Sequence, residues 1–148
     1  MGCSNSSFLK SIVGGSIKVL IVDDEPEVRS FLVSCVEMLD CDVIETAKSG
    51  EEALARAVQG QYDLVTLDLN MPGVSGIDIL SVIRGMMPWS VIAIISGFTE
   101  DIPEMTRDHT DIVISKPVHV KTIHRLVELT RELVATRALI RELEDEAQ

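Results

Sequence analysis

The sequence is short of positive charge: 13 basic against 24 acidic side chains leave a net charge of −11. A surface of that sign repels polyanions, which argues against direct nucleic-acid binding and favours cations and proteins as partners. Long apolar runs are also lacking. None approaches the roughly 20 residues a membrane-spanning helix needs, so a soluble chain without a membrane span is expected. Cysteine is scarce and odd in number, at Cys3, Cys35 and Cys41, with no CxxC pair and no Cys/His cluster. That excludes a disulfide framework and a zinc site, and it fits a reducing, cytoplasmic setting. Cys35 lies in an apolar helical stretch and is expected in the core. His109, His119 and His124 are not spaced as ligands; the last two, five apart, fall on different faces of a helix.

What is there is a globular balance, 46% hydrophobic and 25% charged over 148 residues, enough for one domain and a short appendage. Residues 1–16, MGCSNSSFLKSIVGGS, are polar and rich in Gly and Ser and read as a loose tail. Their Met-Gly-x-x-x-Ser start, with Cys3 alongside, matches a lipidation signature only loosely. From Ile17 onward short apolar runs alternate with segments of helical periodicity, the pattern of β-α-β units closing a parallel sheet. Five strands are expected: Ile17–Val22, Asp42–Thr46, Asp63–Leu67, Val91–Ile95 and Asp111–Ser115. Several are apolar on consecutive residues, as strands covered on both faces are. Trp89 is expected to begin the fourth.

The helices carry their own signals. Pro26 suits a first helical position, Ser49 and Glu52 have capping-box spacing, and Ile77 to Met87 is stopped by Pro88. A short polar helix is expected within Glu100–Asp108, with Pro103 near its start. A last helix begins after Pro117 and continues almost to the end. The expected domain covers 17–130, and 131–148 is a helical extension. Along it Leu126, Leu129, Leu133, Thr136, Ile140 and Leu143 recur at spacings of three and four, the a/d pattern of a coiled coil, which fits a homodimer or an interdomain helix somewhat better than a solvated helical tail whose first turns use Ile123, Leu126 and Val127 on the core.

Parallel strands point one way, so the polar residues that follow them gather at the carboxyl end of the sheet, where open α/β folds place ligands. Asp23 and Asp24 follow the first strand, Asp68 the third, Ser96 the fourth and Lys116 the fifth. Each alone reads as a cap or a turn residue. Together they form a site. Three carboxylates so close repel one another unless a cation holds them. Lys116 supplies one charge, and a hard, oxygen-seeking ion, Mg²⁺, is the natural choice for the rest. Such a site suits a phosphoryl group, with Ser96 donating a hydrogen bond and a free carboxylate attacking phosphorus to form an acyl phosphate.

These residues resemble the receiver domains of two-component response regulators. The matching pieces are IKVLIVDDEPEVR, LVTLDLNMPGVSGIDIL, IAIISG and VISKPV, spread over Ile17 to about Leu129. The resemblance implies a flavodoxin-like, doubly wound α/β fold with a five-stranded parallel sheet in order 2-1-3-4-5. It implies phosphorelay signalling in which Asp68 accepts phosphate from a sensor histidine kinase or a phosphotransfer protein, and an output protein or domain responds. Asp23, Asp24, Asp68 and the backbone carbonyl of Asn70 would hold Mg²⁺, Lys116 would pair with the phosphoryl group, and Ser96 would follow it as a switch hydroxyl. The peptide bond from Lys116 to Pro117 would be cis. The chain would be a regulator that assists its own phosphorylation and dephosphorylation, not an enzyme with a separate substrate. One position departs: Val113 stands where the family often carries an aromatic switch residue.

Two other readings compete. A phosphohydrolase of the haloacid-dehalogenase kind carries DxD after its first strand, whereas Asp68-Leu69-Asn70 follows the third and no cap domain fits the length. A degenerate receiver, binding partners without being phosphorylated, is disfavoured because every chemical residue is present. A flavodoxin-like redox protein fails on charge, since Asp23-Asp24-Glu25 would repel a flavin phosphate.

Overall fold

The computed structural model of the chain describes residues 17–147 except 75, 98 and 101. Strands β1 (Lys18–Val22), β2 (Val43–Ala47), β3 (Leu64–Leu67), β4 (Val91–Ser96) and β5 (Ile112–Ser115) alternate with helices α1 (Pro26–Glu37), α2 (Gly50–Gln59), α3 (Gly76–Met86), α4 (Glu104–Arg107) and α5 (Val120–Glu146). The strands form one parallel sheet in order β2-β1-β3-β4-β5, the expected doubly wound topology. The loose tail and its lipidation pattern lie outside the described residues.

Consecutive buried side chains on β1, β3 and β4 feed two cores, because neighbouring residues on a strand point to opposite faces. Leu20, Val22, Val65, Leu67, Ile92 and Ile94 pack with Ala53, Ala57, Ile79, Leu80 and Ile83 beneath α2 and α3. Val19, Ile21, Leu64, Ala93 and Ile95 pack with Leu32, Cys35, Val36, Ile123 and Val127 beneath α1 and α5. Cys35 is therefore a core residue, as expected.

Local signals set the helix starts. Pro26 occupies the first turn of α1, where its missing N–H costs nothing. Ser49 Oγ accepts from Glu52 N at 3.2 Å and caps α2. The polar segment near Pro103 yields a single turn, α4. Strand β4 begins at Val91, where the expected span Val91–Ile95 begins, and not at Trp89, because Pro88, Trp89 and Ser90 form a turn whose Ser90 N donates back to Met87 O at 3.2 Å. Trp89 stays exposed on that turn.

Helix α5 runs for 27 residues, packs on the α1 side through Ile123, Leu126 and Val127, and keeps contact beyond them through Thr130, Val134 and Ala135. Where it passes the amino end of the sheet, Arg131 Nη2 donates to the carbonyls of Leu39 and Asp40 after α1, a cation placed at the negative end of that helix. Two turns on, the Arg137 guanidinium lies over the Trp89 ring, 5.7 Å from its centroid. Among the described residues no helix is long and apolar enough to cross a membrane.

Candidate functional site

Hydrogen bonds of sheet type continue one residue past the strands and bring their tips into line. Asp68 N donates to Val22 O at 3.0 Å, Asp23 N to Ala47 O at 3.1 Å, and Lys116 N to Ser96 O at 2.9 Å. Asp23 and Asp68 therefore stand side by side at the ends of adjacent strands. Both are buried, 1% and 3% exposed.

Their four carboxylate oxygens are used in the same way. Asp23 Oδ1 accepts from Glu25 N at 2.9 Å, and Asp68 Oδ1 accepts from Asn70 N at 3.0 Å. The second oxygen of each faces Lys116, whose Nζ lies 2.9 Å from Asp23 Oδ2 and 3.3 Å from Asp68 Oδ2. Backbone amides fix the orientation of the acids, and one ammonium holds their charge. The Lys116–Pro117 bond is cis.

Electrostatics follow from this packing. Burial pushes the Asp23 carboxyl above its ordinary value, helped by the charge of Asp68 and opposed by the Glu25 amide and Lys116. Burial would lower Lys116, but its hydrogen bond to Asp23 and the charges of Asp68 and Asp23 outweigh that and hold the ammonium above the ordinary lysine range.

Asp23, Asp24, Glu25 and Asp68 each place one carboxylate oxygen within 4.8 Å of the others. Four acids against one lysine leave an excess of negative charge, and every donor is a hard oxygen. The set fits a magnesium-type cation by charge and by ligand chemistry.

Ser96, fully buried at the end of β4, has its Oγ 3.1 Å from Asn70 Nδ2, which donates to it. All six residues expected at the site are thus brought to one end of the sheet: Asp23, Asp24, Asp68, Asn70, Ser96 and Lys116. Val113 is partly buried and packs on the core under α3. Three contributions went unread in the sequence. Glu25, at the N-cap position of α1, makes no cap bond and instead reaches Lys116 Nζ at 3.3 Å. Asn70 uses its side chain as well as its backbone. Arg29 Nη1 donates to Asp23 O at 2.7 Å and ties α1 to the acidic loop. The available signal was position: Glu25 follows two acids in one loop, and Asn70 lies two residues past Asp68.

Two glycines shape the loop after Asp68. Gly73 has φ +90°, which L side chains rarely adopt, and lets the chain turn away. At Gly76 an added Cβ would stand 2.5 Å from Leu69 Cα and 2.8 Å from Asp68 O, so α3 starts against the very segment that carries the acid.

Comparison with known proteins gives the same picture. A family profile described as the response regulator receiver domain matches residues 19–128. The protein-glutamate methylesterase/protein-glutamine glutaminase of Thermotoga maritima is 33% identical over 128 residues, 83% of this chain and 35% of that protein. The transcriptional regulatory protein ResD of Bacillus subtilis is 42% identical over 67 residues, 45% of this chain and 28% of that protein. The chain thus spans about a third or less of the length of these curated relatives. The crystal structure of the response regulator TrrA from Thermotoga maritima, in complex with Mg²⁺ and BeF, is similar with TM-score 0.69 and 30% identity, covering 76% of this chain and 97% of that one. A receiver domain from Methanospirillum hungatei shares the fold at TM-score 0.76 and 18% identity, over 82% of this chain and 98% of that one.

Proposed function

The chain belongs to the response regulator receiver family, the phosphoryl-accepting modules of two-component signalling, and from that premise we propose that Asp68 is its phosphoacceptor. The observation that carries the reading is the shared ammonium: Lys116 Nζ touches the free oxygens of both buried aspartates. A group that already balances two carboxylates can turn to an incoming phosphoryl oxygen without leaving the site.

Asp68 attacks phosphorus through the oxygen now facing Lys116, forming an acyl phosphate as the bond to the donor's imidazole nitrogen breaks. Its other oxygen stays on the Asn70 amide, so the nucleophile is aimed by the backbone. Lys116 pairs with the transferred group, and Ser96, whose Oγ accepts from Asn70, turns its own O–H to donate to a phosphoryl oxygen. Asp23, Asp24 and Asp68, with the Asn70 carbonyl, would hold Mg²⁺. Bound there, the ion would supply neutralisation of the charge that builds on the phosphoryl oxygens.

The partners of this reading are a sensor histidine kinase or a phosphotransfer protein upstream, an output protein or domain downstream, and a second copy of the chain through α5. The domain is read as 17–130, with 131–148 as a helical extension whose first turns stay packed on it through Arg131, Val134 and Ala135. The chain serves as a regulator that assists its own phosphorylation and dephosphorylation and turns over no separate substrate. Incubation with Mg²⁺ and acetyl phosphate should add one phosphoryl group by intact mass to the parent chain and none to Asp68→Asn. An equal gain in that variant, or no gain with several small donors, overturns the assignment.

A further inference from the structure

We propose that the outer stripe of α5 binds a second copy of this chain as a parallel, in-register two-stranded coiled coil. The inference deepens the self-association named above and rests on the helix alone, so its test is independent of Asp68.

The stripe is real in three dimensions. Leu129, Leu133, Ile140 and Leu143 are 44%, 39%, 59% and 57% exposed, while Thr130, Val134 and Ala135 on the same helix turn to the domain. Leu126, the first residue of the pattern, is spent on the core, so the free seam begins at Leu129. With Leu133 and Ile140 at a positions, Leu129, Thr136 and Leu143 stand at d. An Ile at a with Leu at d is the combination that favours two parallel strands. Thr136 does not spoil the seam: its Oγ1 donates to Glu132 O at 2.9 Å and enters with its donor satisfied.

Charge selects both occupant and direction. In this register Glu132 is a g residue and Arg137 the e residue five positions on. In a parallel pair the two meet across the seam, and symmetry makes the contact twice. In an antiparallel pair e meets e and g meets g. Arg137 would then face the partner's Arg137, and Glu132 the partner's Glu146, so like charges oppose. The stripe is thus complementary to itself in one direction. Arg137 already has its guanidinium carbon over the Trp89 ring, 5.7 Å from its centroid, and the group carries five N–H donors to offer the partner's Glu132.

The full chain should sediment as a concentration-dependent dimer. Glu132→Arg and Arg137→Glu each turn both cross-seam attractions into repulsions and should each weaken dimerisation about tenfold or more. Mixing the two variants restores both attractions in the mixed dimer and should recover the parent's association. Ile140→Cys, in a chain also carrying Cys3→Ser and Cys41→Ser, should close a symmetric disulfide on mild oxidation, which only a parallel, in-register pair allows. Circular dichroism of each variant checks that the fold is kept; on α5, Glu132 and Ile140 are exposed and Arg137 is half-buried. A monomer at every concentration, a dimer indifferent to both reversals, a mixture no tighter than its components, or no disulfide from Ile140→Cys overturns the proposal.

Discussion

Replacing Lys116 by Met removes the ammonium that touches both buried aspartates while keeping most of the side-chain volume. Stripping one partner from a fully buried ion pair costs about 3–5 kcal/mol. Here the loss is smaller, because Lys116 is 17% exposed, each acid keeps one backbone N–H, and the more exposed Glu25 contributes little. We expect Lys116→Met to be about 2 kcal/mol less stable than the parent at neutral pH. The deficit should shrink in acid. Asp23, already pushed up by burial, rises further once the cation is gone, and protonation removes the repulsion. At the alkaline end the sign is set by Lys116 itself: its folded pKa is raised, so its contribution is fully present below the unfolded lysine value of about 10.4 and is lost as pH rises through the folded one. The difference between parent and variant is therefore widest between neutral pH and about pH 10. Mg²⁺ supplies a second check. Removing a unit positive charge from beside a dication is worth on the order of 1–2 kcal/mol even at a solvent-like dielectric, so the variant should bind Mg²⁺ about tenfold tighter. Urea denaturation at pH 7 and pH 5, with and without Mg²⁺, reads all of this as midpoints at constant slope. Equal stability at pH 7, or a deficit that neither acid nor Mg²⁺ reduces, would refute the view that charge on Lys116 holds the two acids.

Three further outcomes are expected. The raised Asp23 carboxyl must lose its proton before it ligates, so Mg²⁺ affinity measured by titration calorimetry should fall with acidification from a pH above the ordinary aspartate value of 3.8, with proton release on binding; affinity constant down to that value would contradict it. Gly76→Ala forces a Cβ against Leu69 and the Asp68 carbonyl and should cost about 1–3 kcal/mol in chemical denaturation, whereas Gly85→Ala, on open surface of the same helix, should be neutral or mildly stabilising. At protein concentrations low enough for the parent to be monomeric, ending the chain after Ala138 should leave stability within about 0.5 kcal/mol, but ending it after Thr130 removes the Arg131 bonds to α1 and the packing of Val134 and should cost about 2 kcal/mol; equal midpoints for the two truncations would place the end of the folded unit earlier than α5 indicates.

The strands were legible because their apolar residues run consecutively, which only a sheet covered on both faces accommodates, and their acids were legible because they interrupt that run at its end. The helix starts at Pro26 and Ser49 carried local chemistry that works whatever surrounds it. Trp89 misled because an aromatic beside an apolar run reads as strand, while the Pro88 turn ahead of β4 decided otherwise. Glu25 and the Asn70 side chain were missed for another reason. Their partners, Lys116 and Ser96, lie 91 and 26 residues away along the chain, and no periodicity carries such a pairing. Leu126 shows the same limit on a helix, since an a/d pattern does not say which of its members the domain itself consumes.

By itself, then, the sequence determined the order of elements, their parallel direction and the chemical types delivered to the strand tips. These follow from local propensity and from the burial period of single segments. Tertiary structure alone decided that one ammonium serves two buried carboxylates, that Asn70 links Asp68 to Ser96, and that Arg131 and Arg137 bind α5 to the far end of the domain. Those contacts depend on distances between strands and helices remote in sequence, which are fixed only when the sheet closes and its two cores pack.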